Sequence, residues 1–249
     1  MHDNTVALVT GANQGIGFQV ARDLAARGLT VLLGSRDTAR GEAAAAQIDG
    51  DVHVVQLDVT SDTSIAAAAE LVREQFGRLD VLVNNAGVSF LGDPGTPLME
   101  RAQAGLLTTM PMDEVRRMYE VNVFGPLALT QAVLPLLLAA PAARVVVVGS
   151  GGSSLTVNAD PTYRGRSMFG IYPATKSALH AVTLGLATAL ESTNVVVNIA
   201  DPGFTATALN GFQGTRTVEE GAAHVVTLAM LGEGAPTGTF SSDDGDVPW

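Results

Sequence analysis

Short runs of Val, Leu, Ile and Ala recur along the chain at Thr5–Thr10, Thr30–Ser35, Val52–Leu57, Val81–Asn84, Arg144–Val148 and Val195–Ala200. They are continuous rather than alternating, the pattern of strands covered on both faces. Between them lie segments with helical spacing of apolar positions: Gly15–Arg27, Asp37–Gln47, Asp62–Phe76, Asp113–Leu138, Pro173–Leu190 and Val218–Leu231. Thr239–Ser241 reads as a further edge strand. Regular strand–helix alternation predicts a parallel sheet with right-handed crossovers. The expectation is one α/β domain over residues 1–249, a doubly wound Rossmann sheet of about seven strands with helices on both faces. Its cofactor half would span about 1–150 and its substrate half about 150–249. Gly87–Pro111 and Gly149–Ile171 are longer than ordinary connections. Both follow carboxyl ends of strands, where open α/β sheets bind ligands.

Composition narrows the function. Of 249 residues, 47% are hydrophobic and 16% charged, enough apolar material for a full core. Fourteen basic against 25 acidic side chains leave a net charge of −11, which argues against nucleic acid or an anionic membrane as partner. Cysteine is absent, excluding disulfides, thiolate metal ligation and a thiol nucleophile, and no metal site is expected. Val121–Ala143 carries no charge, but Asn122, Gln131 and three prolines favour a buried helix over a membrane span. No secretion signal is evident at the N-terminus, so the reading is a cytoplasmic protein. One count stands out: thirteen arginines accompany a single lysine, Lys176.

The turn Thr10-Gly11-Ala12-Asn13-Gln14-Gly15-Ile16-Gly17 joins the first strand to the first helix. Glycines there permit a tight turn and close backbone approach to a pyrophosphate, which the helix N-terminus attracts. At the end of the second strand, where NAD binders usually carry an acid, stand Ser35 and Arg36. Serine does not repel a 2′-phosphate, and a guanidinium can clamp one, so NADP(H) is expected in preference to NAD(H). Asp37 and the uncharged Asn13-Gln14 pair weigh the other way.

Tyr172 and Lys176 are four apart at the start of a helix and share a face, with Pro173 restricted to the first turn. A cation close to a tyrosine lowers its pKa, which suits Tyr172 as general acid in reduction and general base in reverse. Ser150 ends the fifth strand and can hydrogen-bond a carbonyl oxygen. Ser153 and Ser154 compete with it, and Tyr163 is a decoy with Ser167 rather than lysine four residues on. Pro126 lacks the N–H that would bond the Asn122 carbonyl in a continuous helix, leaving that carbonyl for a water.

Together with Asp58, Asn84-Asn85-Ala86-Gly87 and Pro202-Gly203, these motifs resemble the short-chain dehydrogenase/reductase superfamily over essentially the whole chain. The ending, Pro236-Thr237-Gly238-Thr239-Phe240 through Pro248-Trp249, resembles its carbonyl-reductase-like branch. The resemblance implies a catalytic set of Asn122, Ser150, Tyr172 and Lys176, with a water joining Asn122 to Lys176. It implies a cofactor held by Gly11, Asn13, Gln14, Gly15, Ile16 and Gly17, and by Ser35 and Arg36. Asp58 and Val59 would meet the adenine, while Asn85, Ala86 and Gly87 would border the cofactor. Tyr172, Lys176, Pro202 and Gly203 would lie near the nicotinamide, with Thr205 and Thr207 at its carboxamide. The expected activity is NADPH-dependent reduction of a ketone or aldehyde to an alcohol. The rivals are an NAD-linked alcohol dehydrogenase of the same family and a non-catalytic NADP(H)-binding sensor. Phe90, Leu91, Leu155, Phe169, Phe204, Leu209 and Phe212 suggest an apolar or aromatic substrate, with local core packing as the equal alternative. Arg164 and Arg166 read as solvated, with contact to an acidic substrate group as the alternative, and homo-oligomerisation to a dimer or tetramer stays open.

Overall fold

The computed structural model describes residues 4–89, 100, 103, 105–168 and 170–249, the side chains of residues 167 and 168 excepted. Among the described residues, eight strands form one sheet: β1 Val6–Val9, β2 Thr30–Ser35, β3 Val52–Gln56, β4 Val81–Asn84, β5 Ala143–Val148, β6 Val195–Ala200, β7 Phe240–Ser242 and β8 Gly245–Asp246. The order is β3-β2-β1-β4-β5-β6-β7-β8, parallel as far as β7 and antiparallel at β8. The strand missing from the expected seven is β8, whose two residues carry no apolar signal. The helices are α1 Gly15–Ala26, α2 Thr38–Ala45, α3 Asp62–Phe76, α4 Met112–Tyr119, α5 Gly125–Leu138, α6 Leu155–Ala159, α7 Ile171–Leu190 and α8 Val218–Ala229.

Alternation of side chains along each strand divides the core into two layers. Val6 and Leu8 of β1 point toward α3, α5 and α7, where they join Val72, Leu129, Val133 and Leu179. Ala7 and Val9 point the other way, to Val20, Leu24, Val225 and Val226 of α1 and α8. Every residue of β1, β2 and β4 is buried, which accounts for their uninterrupted apolar runs. Chain order reverses between β1 and β4, opening the crevice where doubly wound sheets bind ligands.

The expected continuous helix over Asp113–Leu138 is corrected. It is broken by a π turn at Glu120–Phe124, in which the Gly125 N–H bonds the Glu120 carbonyl. Pro126 has no N–H to continue an ordinary α ladder, and the chain meets that fault by adding a residue to the turn. Met112–Leu138 is long and apolar enough to cross a membrane by length and composition. Half of its most apolar window is buried inside the protein, with Leu129, Val133 and Leu137 fully enclosed.

Three glycines at the first turn are sterically required. Gly11 and Gly15 have left-handed φ of +61° and +59°, and a Cβ on Gly17 would collide with the Asn85 amide and the Gly11 carbonyl. Gly17→Ala is therefore expected to lower unfolding free energy by roughly 1–3 kcal/mol, the range for overpacking a tight site. Urea denaturation measures this, and an unchanged midpoint would show that the turn has room to spare.

Candidate active site

A cavity of about 600 Å³ lies along the crevice. At one end it is lined by Ser35, Arg36, Arg40 and Asp58, in the middle by Gly11, Gln14, Gly15, Ile16, Asn85 and Thr207, and at the other by Gly87, Val148, Tyr172, Lys176 and Pro202. Asn13, Val59 and Ala86 also border it. Among the described residues, Gly17, Asn122, Ser150, Gly203 and Thr205 do not line it. Leu209 and Phe212 do, whereas Leu155 and Phe204 are solvent-exposed outside it. Phe90, Leu91 and Phe169 fall outside the described residues.

The glycine turn is held by Thr10. Its hydroxyl donates to the Val83 carbonyl and accepts from the N–H groups of Asn85 and Ala86, at 2.9 and 2.8 Å. The Asn85 amide donates to the carbonyls of Thr10 and Gly11. Gln14 precedes α1 without capping it through its side chain, so the first turn keeps its N–H groups directed at the cavity mouth. Thr207 faces Gly15, and a Cβ at Gly15 would lie 3.5 Å from its methyl group. A glycine-floored trough at a helix N-terminus fits the pyrophosphate of a dinucleotide.

The end of the cavity beside Ser35 gathers two guanidiniums, Arg36 and Arg40, among the carboxylates of Asp37 and Asp58. Arg36 is exposed and lies close enough to Asp58 to help depress its carboxyl pKa, after the dominant hydrogen bond from Thr60. Arg40 sits four residues on, 3.7 Å from the Asp37 carboxylate. Sequence reasoning missed it, although the Asp37 cap starts a helix there whose first turn holds residue 40, and both arginines border the cavity. Ser35 is buried and its hydroxyl donates to the Asp37 carbonyl, so it shapes the wall while its hydroxyl is already engaged. Thr205 is similarly turned inward, donating to the Pro202 carbonyl.

At the reacting end α7 begins at Ile171, placing Tyr172 and Lys176 on its first two turns. The Ser150 side chain hydrogen-bonds to Tyr172. Ser153 and Ser154 are buried and committed elsewhere. The Ser153 hydroxyl donates to the Ser150 carbonyl, and Ser154 bonds the Trp249 carbonyl and caps α6. Tyr163 is exposed. Asn122 is fully buried. Its amide donates to the Val88 carbonyl at 2.8 Å and to the Thr175 hydroxyl at 3.0 Å, and its oxygen accepts from the Val88 N–H. The side chain thus ties the segment after β4 to the Tyr172 helix, a role that backbone arguments from the sequence do not reveal.

The electrostatics correct one expectation. Lys176 was to hold Tyr172 below its ordinary range. Instead the phenol is pushed up to about 12, first by burial, then by the Asp201 carboxylate, with the Ser150 hydrogen bond opposing. Lys176 is itself buried, and its ammonium donates to the Val148 carbonyl at 2.8 Å. Burial lowers its pKa to about 8.

The sequence profile described as short chain dehydrogenase matches residues 5–217. The chain belongs to this family. It is 36% identical over 245 residues to the short-chain dehydrogenase anuI of Penicillium roqueforti, covering 94% of this chain and 91% of that one. It is 31% identical to the (+)-neomenthol dehydrogenase of Arabidopsis thaliana, covering 95% of each. The structure of salutaridine reductase from Papaver somniferum superposes with a TM-score of 0.81 at 27% identity, over 96% of this chain and 100% of that one. The protein is an oxidoreductase of the short-chain dehydrogenase family, which uses nicotinamide cofactors, and the glycine trough described above suits one.

The buried lysine makes a prediction for this dehydrogenase. Its folded pKa of about 8 lies below the ordinary 10.5. Between those values the unfolded chain binds more protons than the native one, so the lysine makes stability rise with pH. Above pH 10 the raised Tyr172 pKa works in the opposite sense. Lys176→Met should lack the rising limb. Its unfolding free energy relative to wild type should fall by about 2–3 kcal/mol between pH 7.5 and 10, at 1.36 kcal/mol per pKa unit. Parallel denaturation curves across that range would contradict the assignment.

Proposed function

We propose that the protein is an NADPH-dependent reductase of ketones or aldehydes. The observation that carries this reading is Tyr172, hydrogen-bonded to Ser150 behind it, at the end of a cavity whose far end is walled by Arg36 and Arg40. A nicotinamide dinucleotide, when bound, supplies the hydride. The two guanidiniums can hold a 2′-phosphate by charge-assisted bonds, and the Gly11–Gly15 turn can hold the pyrophosphate.

Tyr172 holds its proton throughout the ordinary pH range, as a general acid must before reaction. It then donates that proton to the substrate oxygen, while the Ser150 hydroxyl fixes the oxygen in place. Lys176 holds positive charge against this end of the cavity and stabilises the phenolate that forms. Leu209 and Phe212 on the cavity wall favour an apolar substrate.

A panel of aromatic and alicyclic ketones and aldehydes, followed by NADPH absorbance, tests the activity. Tyr172→Phe should reduce turnover by about two to four orders of magnitude and leave NADPH binding intact. Turnover retained in that variant would remove Tyr172 from the chemistry. Arg36→Ala should weaken NADPH about ten- to a hundredfold and leave NADH almost unchanged, since a charged hydrogen bond contributes about 1.5–3 kcal/mol. Equal losses for the two cofactors would overturn the phosphate role.

A further inference from the structure

Beneath the reacting pair lies a buried titratable group that this chemistry does not use. His180 is one helical turn beyond Lys176 and 3% exposed. Its ring centroid is 4.4 Å from that of Phe240 and 6.5 Å from that of Trp249, which meets it edge-on. Burial, aided by the Lys176 charge, pushes its pKa down to about 3, so the imidazole is neutral. A neutral imidazole has one donor and one acceptor nitrogen, and its partners decide which is which.

The Ser150 N–H lies 3.4 Å from Nε2. A backbone N–H can only donate, so Nε2 accepts and the proton resides on Nδ1. The Nδ1–H then faces the Ser153 hydroxyl oxygen, also at 3.4 Å. That hydroxyl donates its own proton to the Ser150 carbonyl at 2.5 Å. The circuit closes on one residue: both backbone polar groups of Ser150 are held, the N–H directly and the carbonyl through Ser153. Ser177 secures the Ser153 carbonyl in turn, at 2.6 Å. Gly149 leaves room for the ring, since a Cβ there would lie 2.6 Å from Nε2 and 2.5 Å from the Ile199 methyl.

We propose that His180 is a positioning residue for catalysis: its Nδ1–H tautomer clamps the Ser150 backbone and so sets the angle at which the Ser150 hydroxyl meets Tyr172 and the substrate oxygen. The inference rests on the reading of Ser150 and Tyr172 as the reacting pair. A histidine serving only as aromatic filler between Phe240 and Trp249 would be replaceable by phenylalanine. A clamp would not be, because phenylalanine offers no acceptor to the Ser150 N–H.

The test has a ligand-free arm and a kinetic arm. Nitrogen-15 NMR of the wild-type histidines should show one imidazole with Nδ1–H and no titration between pH 5 and 9. For the His180 signals, identified by their loss in His180→Gln, an Nε2–H tautomer or titration near 6.5 overturns the clamp. In the kinetic arm, with the best carbonyl from the panel above, His180→Phe should lower kcat about ten- to a hundredfold with NADPH affinity unchanged, the scale of loss expected from small misplacements of a reacting group. His180→Gln, whose amide oxygen can accept from Ser150, should recover to within about threefold of wild type. Wild-type kcat in the phenylalanine variant overturns the proposal. Should that variant fail to fold, Ser153→Ala removes the hydroxyl that links His180 to the Ser150 carbonyl, leaving that carbonyl only the Ser153 N–H, and should also lower kcat; unchanged turnover counts against the clamp. Tyr172→Phe run alongside separates the two readings, since turnover retained there refutes the reacting pair while leaving the tautomer to be judged by NMR.

Discussion

The architecture hinges on one hydroxyl. Where β1 and β4 diverge, the backbone of two strands must end without leaving buried donors unpaired. Thr10 meets that demand, donating across to β4 and accepting from two N–H groups just beyond it. The Asn85 amide returns the favour to the carbonyls of the first turn. With the two strand ends locked, Gly11 can turn sharply and α1 can start with its amides aimed into the crevice. A methyl group in place of this hydroxyl would take the acceptor from the Ala86 N–H and leave the Asn85 N–H only its 3.1 Å bond to the Val83 carbonyl, an unfavourable arrangement in low dielectric.

The reacting end follows a related logic. Tyr172, Lys176 and His180 lie on successive turns of α7, and each is desolvated. Burial favours the neutral form of all three, but to different degrees relative to ordinary pH. The phenol and the imidazole are neutral there, while the lysine stays charged below about 8. One helix face thus presents an acid, a cation and a neutral hydrogen-bonding ring at fixed spacing. Ser150 is reached from this helix through both its side chain and its backbone.

The strands were legible because burial on both faces leaves runs that neither loops nor surface helices tolerate. Tyr172 and Lys176 were legible because their spacing, the following proline and the scarcity of lysine converge on one short segment. Other features depend on contacts that have no local signature. The break at Glu120–Phe124 could be suspected from Pro126, but the form it takes could not. The sequence points to the Asn122 backbone carbonyl, whereas in the structure its side chain joins two distant segments. His180 occupies an ordinary inward position on a helix, and only tertiary packing sets it under Ser150. The expectation for Tyr172 failed in sign because a neighbouring cation is visible in a sequence and desolvation is not.

The last strand bears on how copies of this molecule can meet. A parallel sheet ending at β7 would present a row of open hydrogen-bonding groups to any passing chain. β8 covers it with a strand of only two residues, too short to serve as a template. Asp243, Asp244 and Asp246 crowd that margin and Pro248 follows. Asp243 is paired with Arg216, and two such margins approaching each other would bring the exposed carboxylates of Asp244 and Asp246 from each copy together, an arrangement that disfavours edge-to-edge pairing at this side.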